Sequence, residues 1–263
     1  MLLVADGFSL FGLDIKFYGL IIAIGMLIAI FVVCKLCKNR GLKNDDIFLV
    51  ALYALPLAII GARLYFVLFS GHQFASFWEI LDIRSGGMAI LGGVIGGALG
   101  VLLFCLIHKK NFLCVADVAV VGLILGQGIG RIGCYFSSCC YGIEVTNPAA
   151  QWFPLATQIH GVWHYSTFFY ESFFDLITFV GLIFAIRKLS KPGSTMALYL
   201  MCYGVIRVII ETFRGDSLYL FGTGIKVSQL LSGLMIVAGI ILMICIYTIK
   251  RKGVKNENNN KAG

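Results

Sequence analysis

Arg131 stands in an apolar, glycine-rich stretch, GQGIGRIGCYFSSCCYG, from Gly126 to Gly142. An arginine in such surroundings is costly, roughly 2.5–3.5 kcal/mol at a helix centre on insertion scales and less toward the interface. It therefore needs an anionic partner or an anionic substrate. Gly126, Gly128, Gly130 and Gly133 remove side chains around it, so other backbone or a lipid headgroup can come close. Cys134, Cys139 and Cys140 follow within ten residues. A second charged row lies in YGVIRVIIETFRGD. Arg207 and Glu211, four residues apart, share one helical face and can pair, and Arg214 follows at the helix end. Two arginines in apolar surroundings suit a phosphate group, whose oxygens match the guanidinium fork bidentately. The same row also fits a purely structural role, since buried charges usually pair.

Other residues carry weaker signals. In GGMAILGGVIGGALG, Gly86, Gly87, Gly92, Gly93, Gly96, Gly97 and Gly100 fit close helix packing and leave a groove that a lipid headgroup can enter. FFYESFFD sets a phenol and an acid, Tyr170 and Glu171, in an apolar run with Asp175 one turn on. Arg63 and Asp117 are candidates for a structural clamp. His160 and His164 have the spacing of a metal pair, but no further ligand accompanies them, and surface histidines are the simpler reading.

The elements that must position these residues follow from composition. Of 263 residues, 59% are hydrophobic and 13% charged, about half the charged share of a soluble domain. The chain reads as all-α, a polytopic integral membrane helix bundle. Seven apolar runs, about 17–36, 47–69, 88–107, 112–132, 165–186, 194–213 and 227–249, each approach the roughly 20 residues a spanning helix needs. The formal net charge of +8 points to membrane orientation and anionic lipid rather than to nucleic acid. Four, two, three and five lysines and arginines follow the first, third, fifth and seventh runs, 14 of the 21 in the chain. That side is cytoplasmic by the positive-inside rule, which puts the N-terminus and the long 133–164 connection outside and the C-terminus inside. Residues 1–252 are expected to form a single transmembrane domain. Residues 253–263, polar and asparagine-rich, are expected to be a disordered cytoplasmic tail.

Taken together, these segments resemble the bacterial prolipoprotein diacylglyceryl transferase family. Its signature runs G-R-x-G-N-F-x-N-x-E, then an aromatic residue and a glycine, and Gly130 to Gly142 stands in register with it. FYGL at 17–20, GARLYFVLF at 61–69, GGMAILGG at 86–93, YES at 170–172 and YGVIRVIIETFR at 203–214 fall in the family's order. The resemblance covers most of the chain. It implies a multi-pass enzyme of the bacterial cell membrane that moves diacylglyceryl from phosphatidylglycerol to the thiol of a lipoprotein-precursor cysteine and releases glycerol 1-phosphate. Its partners would be phosphatidylglycerol, membrane lipid and the precursor's signal segment, with no metal or organic cofactor. The implied catalytic residues are Arg131 on the lipid phosphate, Arg207 on the departing phosphate, Glu211 orienting Arg207, and Cys139. The implied substrate-binding residues are Tyr18, Arg131, Gly86, Gly87, Gly92, Gly93 and Gly142. The chain departs from the signature at its asparagine, here Cys134, and its glutamate, here Cys139; Leu91 stands where the family has histidine or tyrosine. Cys139 has three readings: a thiolate beside Arg131, half of a disulfide with Cys134, or a small residue filling space. The alternative function is a divergent relative that binds phospholipid or signal segments with little turnover, or transfers to another acceptor.

The charge count predicts that Lys109 and Lys188 face the cytoplasm and that His160 faces outward. With single cysteines in a cysteine-free background, His160→Cys should react with an impermeant thiol reagent in intact cells, and Lys109→Cys should not. The reverse labelling would invert the orientation.

Overall fold

An apolar run in lipid must satisfy its own backbone, and a helix does so within one segment. In the computed structural model, which describes residues 7–10, 13–70, 76–82, 86–137, 139–159, 161–215 and 226–261, every predicted run is a helix. The spanning helices are α1 (Phe17–Leu36), α2 (Asn44–Phe69), α4 (Ile90–Ile107), α5 (Phe112–Phe136), α6 (Thr167–Lys188), α7 (Ser194–Thr212) and α8 (Val227–Lys261), with a short α3 (Phe77–Leu81) between α2 and α4. Among the described residues seven helices are long and apolar enough to cross a membrane, the apolar part of α8 being Val227–Thr248. The chain is an all-α polytopic membrane protein. The expected tail, 253–263, falls where side chains lie outside the described residues.

Two antiparallel hairpins were not expected: β1 (Gly7–Leu10) with β2 (Leu13–Lys16), and β3 (Ala156–Ile159) with β4 (Val162–Tyr165). Strands of four residues leave almost no periodicity to read. They also move one boundary. Tyr165, expected to open the fifth span, pairs with Ala156 instead, so α6 begins at Thr167. At the other end of the same connection, α5 continues past the expected Ile132 to Phe136.

The chain divides into two compact units, residues 34–116 and residues 1–33 with 117–263. In the first, α2 packs along α4 on a glycine face. A side-chain carbon on Gly92 would overlap the Gly61 carbonyl, one on Gly96 would overlap the Leu57 carbonyl, and one on Gly100 would sit 2.6 Å from the Ala54 Cα. Gly86 and Gly87 turn the chain into α4 with φ of 90° and 71°, a region that glycine enters without penalty. Their carbonyls accept from the Arg63 guanidinium at 2.7 and 2.9 Å, and the Ile80 and Glu79 carbonyls accept from it at 2.8 and 2.6 Å. An arginine inside an apolar span is thus held by backbone oxygens.

In the second unit, α6 and α8 pack on α7. Close approach again needs small residues: Gly204 faces the Ser232 carbonyl and Ile236, and Gly239 faces the Ala197 carbonyl. Ser172 Oγ donates to the Gly128 carbonyl at 2.7 Å and ties α6 to α5. Asp117 accepts from the backbone N–H of Gly193 at 2.9 Å and of Met196 at 2.8 Å, capping the start of α7.

The α2–α4 packing yields a paired test. Gly96→Ala should destabilise the protein by about 1–3 kcal/mol, the usual cost of overpacking. Gly93→Ala, whose new carbon would lie an ordinary 3.6 Å from Ala62 Cβ, should be tolerated. Thermal unfolding of the detergent-solubilised variants checks this; equal melting temperatures would refute it.

Candidate functional site

Three helices of the second unit each bring a charge to one place. Arg131 lies five residues before the end of α5, whose deeper turns bury Val118, Val121 and Ile124 completely. Glu171 lies in the second turn of α6, beside the Ser172 tie to α5. Arg207 and Glu211 lie in the last two turns of α7. Arg131 Nη2 meets Glu171 Oε1 at 2.7 Å. Arg207 Nη1 donates to both Glu171 oxygens at 3.0 Å, and its Nη2 reaches Glu211 Oε2 at 3.3 Å. The result is an alternating row, Arg131–Glu171–Arg207–Glu211. The carboxylates are 2% and 1% exposed and the arginines 16% and 13%, so the carboxylates form the floor and the guanidinium groups the accessible surface. Lys226 adds a further cation, donating to the carbonyls of Glu211 at 2.6 Å and Arg214 at 3.2 Å.

The expected convergence of Arg131 and Arg207 is present, through a residue that the candidate site lacked. Glu171 was visible only as an acid in FFYESFFD and in the YES segment of the resemblance. Its sharing between two arginines from different helices is a long-range fact that no local spacing encodes. The expected Arg207–Glu211 pair, which does have a local spacing, is formed.

The cysteines differ from expectation in one respect. Arg131 Nη1 donates to the sulfur of Cys140 at 3.4 Å, and Arg214 Nη2 approaches the same sulfur at 3.9 Å. Cys134 and Cys139 beside it, and then the two guanidinium groups, hold the Cys140 thiol well below its ordinary range, which favours the thiolate there. Cys139, for which a thiolate beside Arg131 was one of three readings, is drawn down by Cys134 but pushed up on balance by the neighbouring Cys140 and by burial. The expected alternative of a Cys134–Cys139 disulfide is not formed; all nine cysteines are free.

The remaining candidates fall into place around this centre or away from it. The Tyr18 ring packs over Gly133, where an added side-chain carbon would come within 3.0 Å of it, and Arg131 and the three cysteines lie near it. Gly142 is buried in a backbone clamp. Its N–H donates to the Tyr165 carbonyl at 2.8 Å and His164 Nδ1 donates to its carbonyl at 3.1 Å. A side-chain carbon there would press on the Phe213 carbonyl at 2.7 Å, so Gly142 lets three segments meet. Gly86, Gly87, Gly92 and Gly93 belong to the other unit, in the turn and helix face described above. His160 lies outside the described residues. Asp175, fully buried one turn from Glu171, has no hydrogen-bond partner among the described residues.

Comparison with known proteins gives a consistent picture. The family model described as "Prolipoprotein diacylglyceryl transferase" matches residues 6–245. The chain is 38% identical over 256 residues to a Clostridium perfringens protein named phosphatidylglycerol–prolipoprotein diacylglyceryl transferase 1, covering 94% of this chain and 97% of the relative. Proteins named phosphatidylglycerol–prolipoprotein diacylglyceryl transferase are also similar. One from Finegoldia magna is 38% identical over 239 residues, 90% of this chain and 93% of the relative. One from Clostridium botulinum (strain Loch Maree) is 39% identical over 251 residues, 93% and 96% respectively.

The charge row is testable by removing its shared member. Glu171→Gln leaves two guanidinium groups facing each other without their common carboxylate. Stability should fall by about 3–5 kcal/mol, the cost of breaking a buried pair from one side. Glu171→Asp should retain part of it. Thermal unfolding in detergent separates the two, and a Glu171→Gln protein as stable as the parent would refute the pairing.

Proposed function

The chain belongs to the prolipoprotein diacylglyceryl transferase family, and on that premise we propose that it moves the diacylglyceryl group of phosphatidylglycerol to the thiol of a lipoprotein-precursor cysteine in the bacterial cell membrane. The observation that carries this reading is the meeting of Arg131 and Arg207 on Glu171. Each arginine is anchored on a buried carboxylate and carries more donors than that carboxylate takes up. That arrangement suits a phosphodiester, whose single negative charge is spread over two oxygens.

In this reading the acceptor sulfur attacks the glyceryl carbon that carries the phosphate oxygen. A C–S bond forms, the C–O bond breaks, and the electron pair leaves with that oxygen on glycerol 1-phosphate. Negative charge on the phosphate grows from one toward two as the bond breaks. Donors fixed where charge develops lower the barrier without reorganising. Arg131 holds the phosphate, and Arg207 meets the growing charge. Glu171 and Glu211 orient the two guanidinium groups. Tyr18 lines the headgroup side. The acceptor must first lose its thiol proton, because the thiolate is the nucleophile. The signal segment of the precursor binds from the lipid, and the site opens on the outer side with the N-terminus.

Arg207→Lys keeps the charge but loses the planar fork. Transfer to a single-cysteine acceptor peptide should fall by about a hundredfold, the lower end for removing one oxyanion donor. Glycerol phosphate release from labelled phosphatidylglycerol measures it. A parental rate in Arg207→Lys would remove Arg207 from the chemistry.

A further inference from the structure

At the end of α5 three sulfurs come together. The Sγ atoms of Cys134, Cys139 and Cys140 all lie within 4.8 Å of one another. Cys134 is buried and the other two are half-buried. The backbone is shaped for this meeting. The Cys139 N–H donates to the Cys134 carbonyl at 3.2 Å, which folds the chain back over the helix end. Cys140 then adopts φ of 59°, a left-handed conformation that costs an L residue roughly 1–2 kcal/mol. Its carbonyl is fixed in that state by Thr167 Oγ1 at 2.6 Å. Strain of this kind collects at functional sites, where the surroundings over-determine it.

Three thiolates at this spacing are a ligand set. Tetrahedral zinc binds thiolate at about 2.3 Å, which sets sulfurs roughly 3.8 Å apart by the geometry of that polyhedron. The three sulfurs here, all within 4.8 Å of one another, stand close to that spacing. Charge also balances. Three thiolates around a divalent cation carry one net negative charge, and Arg131 and Arg214 both stand at the Cys140 sulfur. Soft thiolate sets select zinc among the divalent cations common in cells, and three protein ligands with a free fourth position are the pattern of reactive zinc rather than of structural zinc.

We propose that Cys134, Cys139 and Cys140 form a three-thiolate zinc site whose fourth position takes the acceptor cysteine of the lipoprotein precursor. The metal site stands without the transferase reading; the role of its fourth position rests on it. Coordination releases the acceptor's thiol proton to water and holds the sulfur as a thiolate. The sulfur then attacks the glyceryl carbon, and the phosphate oxygen leaves toward Arg131 and Arg207. Nothing is oxidised or reduced. The site would supply the loss of the acceptor's thiol proton that the transfer requires.

The test uses the full-length protein in detergent, reduced and then dialysed against zinc or cadmium. One zinc per chain and a cadmium–thiolate charge-transfer band are expected. Cys134→Ser, Cys139→Ser and Cys140→Ser should each weaken zinc at least tenfold against a chromophoric chelator, and Cys202→Ser should not. No cadmium–thiolate band in the reduced parent, or zinc affinity unchanged in all three cluster variants, would overturn the site. Stripping zinc should abolish transfer, and re-addition should restore it. Unchanged transfer after stripping would overturn the role in thiol activation. Absence of transfer by the zinc-loaded protein would overturn the transferase reading and that role together, with the metal site judged on its own binding data.

Discussion

The carboxylate of Glu171 is the constraint on which the centre depends. It is 2% exposed and receives guanidinium donors from two other helices. A single carboxylate at that depth would be neutralised or excluded, because burying an unpaired charge is costly. Shared between Arg131 and Arg207, it makes burial of all three charges tolerable. Glu211 completes the neutral row from below Arg207. Helices α5, α6 and α7 are therefore joined at one end by electrostatics as well as by packing. The Ser172–Gly128 hydrogen bond stands directly beside that junction, where it fixes the height at which Glu171 meets Arg131. The geometry follows from having two cations compete for one anion. Neither arginine is fully saturated by it, so both retain donors for a third party.

How much of this was readable without coordinates depends on the range of each interaction. The seven spans were legible because lipid demands about 20 apolar residues wherever a helix crosses. Arg207 with Glu211 was legible because four residues make a helical turn. Glu171 with Arg131 was not, since 40 positions separate them and nothing local ties one to the other. The hairpin at 156–165 was hidden because four-residue strands carry no usable period, and its presence shifted the start of α6. Arg63 and Asp117, read as a possible clamp, have separate partners in backbone carbonyls and backbone N–H groups. Sequence offers side chains as partners and says nothing about which main-chain groups are free.

The glycines show the same division. Read as one motif, GGMAILGGVIGGALG offers close packing and a groove together. In the structure its halves separate by backbone conformation. Gly86 and Gly87 have positive φ and give their carbonyls to Arg63. From Gly92 onward the residues are helical, and each fourth one, Gly92, Gly96 and Gly100, meets α2. Spacing predicted the second group through the helical repeat. The first group's role is set by a turn, which composition marks only as a break.

The departure from the signature at Cys139 is best understood through charge rather than through atom type. The signature's glutamate would bring one anion to the arginine end of α5. Here the group that meets the arginines comes one position later, the Cys140 sulfur, because the left-handed turn carries it to Arg131 and Arg214. Around the centre, the guanidinium groups of Arg131 and Arg207 meet Glu171, and Arg131 and Arg214 meet the Cys140 sulfur. Neighbouring cations favour thiolate over thiol and phosphate over neutral headgroups. The two other cysteines lie beside that sulfur, all three within 4.8 Å of one another. The sulfur cluster and the arginine pair on Glu171 thus meet at one end of α5, joined through Arg131.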